Sequence, residues 1–283
     1  MARFQVACVQ MNSGRSVEAN VAAAEALIRS AAGAGAQYVL TPEMTTILDR
    51  DKANLLAQID AEDTDPSLQR FRELARELAI HLHIGSMAIR LPDAHIANRS
   101  FVIAPNGAVI ARYDKIHMFD VDLSGGESYR ESATYRAGTR AVLADLPWAK
   151  LGLTICYDVR FPVLHRTLAK AGATLIAVPA AFTRKTGEAH WQVLLRARAI
   201  ETGSYVVAAA QAGRHEDGRD TFGHSMIIDP WGKILAEAGD EAGVILADVD
   251  PAFAAATRRA IPALANQRDF ALPELPQVGS FVG

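Results

Sequence analysis

The sequence predicts an α/β chain folded as a four-layer αββα sandwich, two mixed β-sheets face to face with helices outside, and three observations carry that prediction. Apolar runs of strand length alternate with helix-period stretches from the start of the chain, the pattern of βαβ units. The alternation occurs once in each half. Each half also carries a hairpin on a turn signal, Pro105-Asn106-Gly107 in SFVIAPNGAVIARYD and Asp229-Pro230-Trp231-Gly232 in HSMIIDPWGKILAEA. Matched hairpins point to a pseudo-twofold arrangement of two αβ halves in one domain spanning 1–283.

The elements follow in order from periodicity. RFQVACVQM reads as a strand, SVEANVAAAEALIRSAAGAG as an amphipathic helix closed by glycine, and AQYVLTPE as a second strand parallel to the first. A helix over DPSLQRFRELARELAI, opened by Asp65 and Pro66, leads into the strands HLHIGSMAI and ANRSFVIA, the Pro-Asn-Gly turn and the strand AVIARYD. The second half gives strands AVLADLP and KLGLTICYD, a helix from Pro162 to Ala171, the strand ATLIAVPAAF, a helix through HWQVLLRARAIET, the strand SYVVAAAQ and the second hairpin. A short helix follows Pro251. The proline-punctuated arm 262–283 has no apolar stripe to bury and is expected to pack on a second subunit.

Half of the 283 residues are apolar and the formal net charge is -3, with Lys and Arg scattered. That composition supports a sizeable core and argues against nucleic acid or an anionic membrane as partner. No run approaches the ~18 apolar residues of a membrane span, and MARFQVACVQMN is unlike a signal peptide. A cytoplasmic protein acting on a small molecule is expected. Two cysteines are too few for a disulfide framework or a zinc cage, and Cys8, inside the first strand, reads as a small buried apolar residue. No metal or cofactor is expected. His81 and His83 alternate on one strand without a third ligand, and Gly33-Ala34-Gly35-Ala36 ends a helix where a phosphate loop would open one.

Cys156 sits where an apolar run breaks into Arg160-Phe161-Pro162, which puts the thiol at a strand's C-terminal end, where open α/β sheets place their chemistry. Two other strands end in complementary groups, AQYVLTPE in Glu43 and ARYDKIHMFD running into Lys115. A thiol needs a proton acceptor to become a nucleophile, and the charge that develops on the attacked group needs positive or N–H partners. Glu43, its pKa raised by burial behind a strand, fits the first role; Lys115 and the Tyr157 N–H fit the second. Singly, each has a plainer reading: a core thiol, a helix cap or surface ion pair, a surface lysine. Their conjunction at strand ends favours chemistry.

Glu43 in TPE, Lys115 in YDKIH and Cys156 in TICYDVRFP resemble the Glu-Lys-Cys triad of the carbon-nitrogen hydrolase (nitrilase) superfamily, and Glu131 in YRES matches that pattern's second glutamate. The resemblance runs over nearly the whole chain. AHWQVLLRARAIET and GHSMIIDPWGKI are similar to the small-amidase branch that includes deaminated glutathione amidase and omega-amidase. It implies the αββα fold, a homodimer or higher homo-oligomer, and hydrolysis of a small linear carboxylate-bearing amide. Cys156 is implied to attack the carbonyl, Glu43 to shuttle the proton, and Lys115 with the Tyr157 amide to hold the oxyanion. Ammonia leaves and water hydrolyses the thioester, while Glu131 orients Lys115 or the substrate nitrogen. The same resemblance assigns Arg160, Phe182 and Thr186 to the substrate; Arg160 suits a carboxylate because a guanidinium is a planar, two-pronged donor. The structural alternatives are an ion pair with Asp158 for Arg160, core packing for Phe182 and helix opening for Thr186.

The polar, glycine-rich loop DVDLSGGESYRES is a candidate lid, and its Ser124-Gly125-Gly126 a candidate anion cradle or an ordinary turn. Arg196, Arg198 and Glu201 in RARAIE read as helix-borne salt bridges, with support of the site from behind as the alternative. His117 and His190 raise a Cys-His enzyme, but no local signature of the cysteine peptidases surrounds Cys156. Two other functions stay open: the same machinery turned on N-carbamoyl compounds or nitriles, and an idle family member acting as a scaffold, which the intact triad disfavours.

Overall fold

The computed structural model describes residues 2–93, 95–123 and 128–271. In the first of two six-stranded sheets, β1 (Phe4–Gln10), β2 (Tyr38–Leu40) and β3 (His81–Arg90) run parallel, and β4 (Ile96–Ile103) and β5 (Val109–Asp114) continue antiparallel. The second repeats the plan. After β6 (Val142–Asp145) on the edge, β7 (Lys150–Leu153), β8 (Leu175–Ala177) and β9 (Tyr205–Ala208) run parallel, and the hairpin of β10 (Met226–Ile228) and β11 (Ile234–Glu237) completes it. Both hairpins turn on glycines of positive φ, Gly107 at 79° and Gly232 at 83°, which supports the twofold relation seen in the sequence. A strand left unassigned by periodicity, β12 (Gly243–Val249), pairs antiparallel with β1 and joins the end of the chain to its beginning.

Strand alternation sorts the side chains between layers. Phe4, Val6 and Cys8 of β1 face the second sheet and share a core with Leu151, Leu153 and Leu175. Ala7 and Val9 face outward. There α1 (Val17–Gly33) and, beyond the short α2 (Lys52–Gln58), α3 (Pro66–Leu78) bring Ile28, Phe71 and Leu74 into a second core. Ser16 caps α1, and Asp65 caps α3 by accepting the Leu68 N–H at 2.8 Å, with Pro66 in the first turn. On the other face, α4 (Pro162–Lys170) and α5 (Arg184–Thr202) pack on the second sheet. A last helix, α6 (Pro251–Ala260), follows β12. The arrangement is the four-layer αββα sandwich.

Two strands stop sooner than their apolar runs. β2 ends at Leu40, so Glu43 stands beyond it, and β7 ends at Leu153. Cys156 therefore opens a 3-10 turn, Cys156–Arg160, where the sequence suggested a strand's last residues. α5 begins at Arg184, ahead of the apolar period, and takes Thr186 into its first turn. Ile200, Trp231 and Ile261 are 53, 56 and 55 % exposed around one surface depression. Of the C-terminal arm, residues 272–283 lie outside the described residues. Among those described, no helix is long and apolar enough to cross a membrane.

Candidate active site

Glu43 and Lys115 follow β2 and β5, co-directional strands of one sheet, and Cys156 follows β7 of the facing sheet. The structure brings all three together across the sandwich. Lys115 Nζ lies 2.8 Å from Glu43 Oε1 and 3.0 and 2.8 Å from Glu131 Oε1 and Oε2. The Cys156 thiol lies close enough to the Glu43 carboxylate for each to shift the other's titration. Glu43, Lys115 and Cys156 are only 4, 2 and 7 % exposed, so each charge depends on the others in place of water. Glu131 opens the 3-10 turn Glu131–Ala133, and its Oε2 also accepts the Phe119 N–H at 2.7 Å.

The local backbone is built for this convergence. Met44 and Cys156 adopt φ of 54° and 49°, a left-handed conformation that costs a non-glycine residue on the order of 1 kcal/mol. Each is held by a hydrogen bond: Met44 N–H to Ser86 Oγ at 2.9 Å, and Cys156 N–H to the Pro179 carbonyl at 2.8 Å. Gly85, at a bulge in β3, permits the two turns to meet, since a Cβ there would lie 2.1 Å from the Thr41 carbonyl oxygen and 2.5 Å from Pro179 Cβ. Buried Asp158 sets the spacing between lysine and thiol. Its Oδ2 accepts Tyr113 O–H at 2.7 Å and Ile155 N–H at 2.8 Å; its Oδ1 accepts His117 N–H at 3.1 Å and lies 2.6 Å from His117 Nδ1. Tyr113 and His117 flank Lys115, while Ile155 adjoins Cys156, so one carboxylate clamps both segments. Arg198 pairs with Glu201 at 2.7 Å and also donates to the Val159 carbonyl at 2.7 Å, so it supports the cysteine turn from behind.

Electrostatics fix the resting protonation. Burial pushes the Glu43 carboxyl up, as the sequence suggested, but the Lys115 ammonium and hydrogen bonds from Lys115, Cys156 and Asn98 outweigh it and hold the group below its ordinary value. The expected upward shift is thus reversed. Burial pushes Lys115 down, yet Glu131 and Glu43 bring it well above the usual lysine value. Burial and the Glu43 charge drive the Cys156 thiol well up against the pull of Lys115. The resting site holds a neutral thiol, a carboxylate and an ammonium.

These groups, with Glu131, Tyr157, Phe182 and Thr186, line one cavity of about 310 Å³ whose further walls include Met44, Ile47, Leu48, Leu55 and Tyr135. That size suits a small molecule. Phe182 is both wall and core, its ring centroid 5.0 Å from that of Trp191. Thr186 Oγ1 lies 2.7 Å from Thr183 Oγ1. Arg160 does not line the cavity. Its guanidinium lies over the Phe182 ring at 5.1 Å and within 3.4 and 3.3 Å of His190 Nδ1, and it makes no pair with Asp158. His117 and His190 also stand outside the lining, so no histidine accompanies the thiol there among the described residues. His83 is wedged between Tyr38 Oη and Ser100 Oγ, both at 2.6 Å, and burial takes its pKa down to about 3. The described residues contain no group of three or more metal-ligating side chains. Ser124-Gly125-Gly126 lies outside the described residues; on either side, Asp120–Asp122 and Ser128–Arg130 pair as a ribbon whose Tyr129 lines the cavity.

The carbon-nitrogen hydrolase family model matches residues 5–259. The chain belongs to the carbon-nitrogen hydrolase family. This hydrolase is 40% identical over 272 residues to deaminated glutathione amidase of Yersinia enterocolitica, covering 95% of this chain and 94% of the relative. It is 42% identical over 274 residues to the deaminated glutathione amidase of a Synechocystis strain, covering 94% and 99%. The crystal structure of the C. elegans NitFhit protein matches it with a TM-score of 0.88 at 37% identity, over 95% of the hydrolase and 66% of that chain.

Two polar residues of the hydrolase's site escape the sequence reading. Asn98 Nδ2 donates to Glu43 Oε1 at 2.9 Å and Glu131 Oε1 at 3.1 Å. Gln211 Nε2 donates to the Glu43 backbone carbonyl at 3.0 Å. A signal for Asn98 is present in IANRSFVI. Asn98 and Ser100 share a strand face with Ile96 and Val102, so the strand buries two polar side chains among apolar ones on its inward face, and such groups need partners.

Proposed function

We propose that the hydrolase is an amidase acting on a small linear, carboxylate-bearing amide of the deaminated glutathione or 2-oxoglutaramate kind, through a thioester on Cys156. The observation that carries this reading is the meeting of Cys156, Glu43 and Lys115 in one buried cavity. Glu43 takes the thiol proton as sulfur adds to the carbonyl carbon. The oxyanion is held by the Tyr157 N–H, which makes no backbone hydrogen bond among the described residues, and by the Lys115 charge. Lys115 keeps its N–H bonds on carboxylates, so it acts first as a fixed positive charge, and Glu131 keeps it in place. On collapse the C–N bond breaks and the proton passes from Glu43 to the leaving nitrogen, giving ammonia from a primary amide or an amine from a substituted one. Water then gives a proton to Glu43, adds to the thioester, and the released sulfur is reprotonated.

The similarity to deaminated glutathione amidases supports the choice of acyl group. So does Arg50, which lines the cavity over the Tyr129 ring at 5.3 Å with no carboxylate in ion-pair reach among the described residues. Arg160, outside the lining, would reach a substrate carboxylate only by turning off His190. The test is a panel: deaminated glutathione, 2-oxoglutaramate, an N-carbamoyl amino acid and a nitrile, each assayed for the acid product. Turnover of the two amides is expected. Turnover of the carbamoyl compound or nitrile alone transfers the function to that class, and no turnover at all sinks the reading. The same proposal pairs two copies over Ile200, Trp231 and Ile261, so sedimentation at micromolar concentration should give twice the chain mass; a monomer would refute the pairing.

A further inference from the structure

Asn98, on β4 and fully buried, bonds to all three charged residues of the site, to two carboxylates through its side chain and to the Lys115 main chain through its own. Its Nδ2 lies 2.9 Å from Glu43 Oε1 and 3.1 Å from Glu131 Oε1, one hydrogen for each. Its backbone carbonyl accepts the Lys115 N–H at 3.0 Å. The other end of the amide is unsatisfied: Oδ1 is buried and finds no donor among the described residues. The reversed amide would aim that oxygen at two carboxylates, so charge fixes the orientation even though an acceptor goes without a partner.

Two carboxylates against one ammonium leave the cluster with one negative charge in excess, and like charges this close drive one of them to take a proton. A carboxamide supplies two hydrogens to two acceptors and adds no charge of its own. We propose that Asn98 is a positioning residue that holds the Glu43 and Glu131 carboxylates apart and separately aimed, leaving Glu43 able to accept the thiol proton while Glu131 holds Lys115. The inference rests on the reading of Glu43 as the proton carrier. Glu43 is faced by Lys115 after β5, Glu131 in its 3-10 turn and Cys156 after β7, with Tyr135 within electrostatic reach. Asn98 is the uncharged side chain in that ring that donates to both acids.

Two variants test it. Asn98→Leu keeps the volume and removes both hydrogens; Asn98→Asp keeps the shape but, even when protonated, offers one hydrogen for two carboxylates. In both, the acid limb of kcat/KM against pH should move up by about one unit, because Glu43 then holds its proton to higher pH, and kcat should fall about 10- to 100-fold. The rate of Cys156 alkylation by iodoacetamide, blanked with Cys156→Ala, should show the same displacement without any amide substrate. Thermal unfolding reports the folded fraction. Profiles that superimpose on wild type, with rates tracking only that fraction, overturn the inference. A wild type that hydrolyses no amide defeats the proposed function alone, since the alkylation profile still decides the role of Asn98.

Discussion

Cys156→Ala should leave the hydrolase folded and lower kcat/KM on its best amide by about 10⁴-fold or more. The structural cost is small, because one sulfur atom is lost from a buried site and the left-handed backbone at 49° is equally strained in both proteins. The chemical cost is large. Without sulfur the remaining route is water activated by Glu43, and that carboxylate is held below its ordinary pKa by Lys115, which makes it a weak base. The same mismatch explains how the wild-type thiol is used. A thiol pushed well up beside a carboxylate pulled down does not ionise at rest, so the proton moves only as the carbonyl oxygen takes up charge near Lys115. Cys156→Ser should be nearly as inactive, since an alkoxide is harder still to generate against so weak a base. Steady-state rates and the acyl adduct, seen by mass spectrometry with a slow amide, check both variants. Activity of Cys156→Ala above about 1% of wild type would refute the covalent route, given the 10³–10⁶-fold losses usual for a nucleophile.

The layers of this fold were legible because turn chemistry and strand alternation are local. Gly107 and Gly232 mark hairpins that sit at matching places in the two sheets. β12 was not legible: GVILADV is half-exposed over most of its length, and its partner β1 lies at the opposite end of the chain. Strand ends were misjudged where tertiary contacts override an apolar run. Cys156 leaves the strand path because its N–H is taken by the Pro179 carbonyl, and Gly85 has room for that turn only because it lacks a Cβ. At the site, the residue types pointed to a thiol, an acid and an amine, and resemblance placed them in one family. What a list of types cannot hold is their net effect on one another. Burial alone predicts a raised Glu43, and the nearness of the Lys115 ammonium, joined by the hydrogen bonds the carboxylate accepts, reverses the sign.

Lys115→Met should be the most destabilising single change in the site, about 3–5 kcal/mol at neutral pH, because it leaves the buried Glu43 carboxylate and the partly buried Glu131 carboxylate facing each other across one amide. Methionine fills much of the volume, so the loss is electrostatic. Its pH dependence follows from the shifts. Glu43 titrates below its ordinary value in the folded wild type, so its contribution is present above the unfolded value and lost only as pH falls through the folded one. Lys115 titrates above its ordinary value, so its contribution is complete below the unfolded value and lost as pH rises through the folded one. Between about pH 5.5 and 8, above the unfolded carboxylate value and below the unfolded lysine value, wild-type stability from this cluster is therefore flat. In the variant, burial and the Glu131 charge outweigh the hydrogen bonds that Glu43 still accepts from Asn98 and the Ala181 N–H, and raise it above its unfolded value. A carboxyl so raised is least costly when protonated and destabilises progressively as pH rises through its folded value. Urea unfolding of both proteins should accordingly give a gap that narrows from pH 8 to pH 5.5, with no measurable turnover by the variant at either. A gap below about 1 kcal/mol at pH 8, the scale of an exposed ion pair, would mean that the ammonium is not the keystone of the cluster. A gap that stays constant with pH would mean that the cost is packing, and that Glu43 keeps its charge by other means.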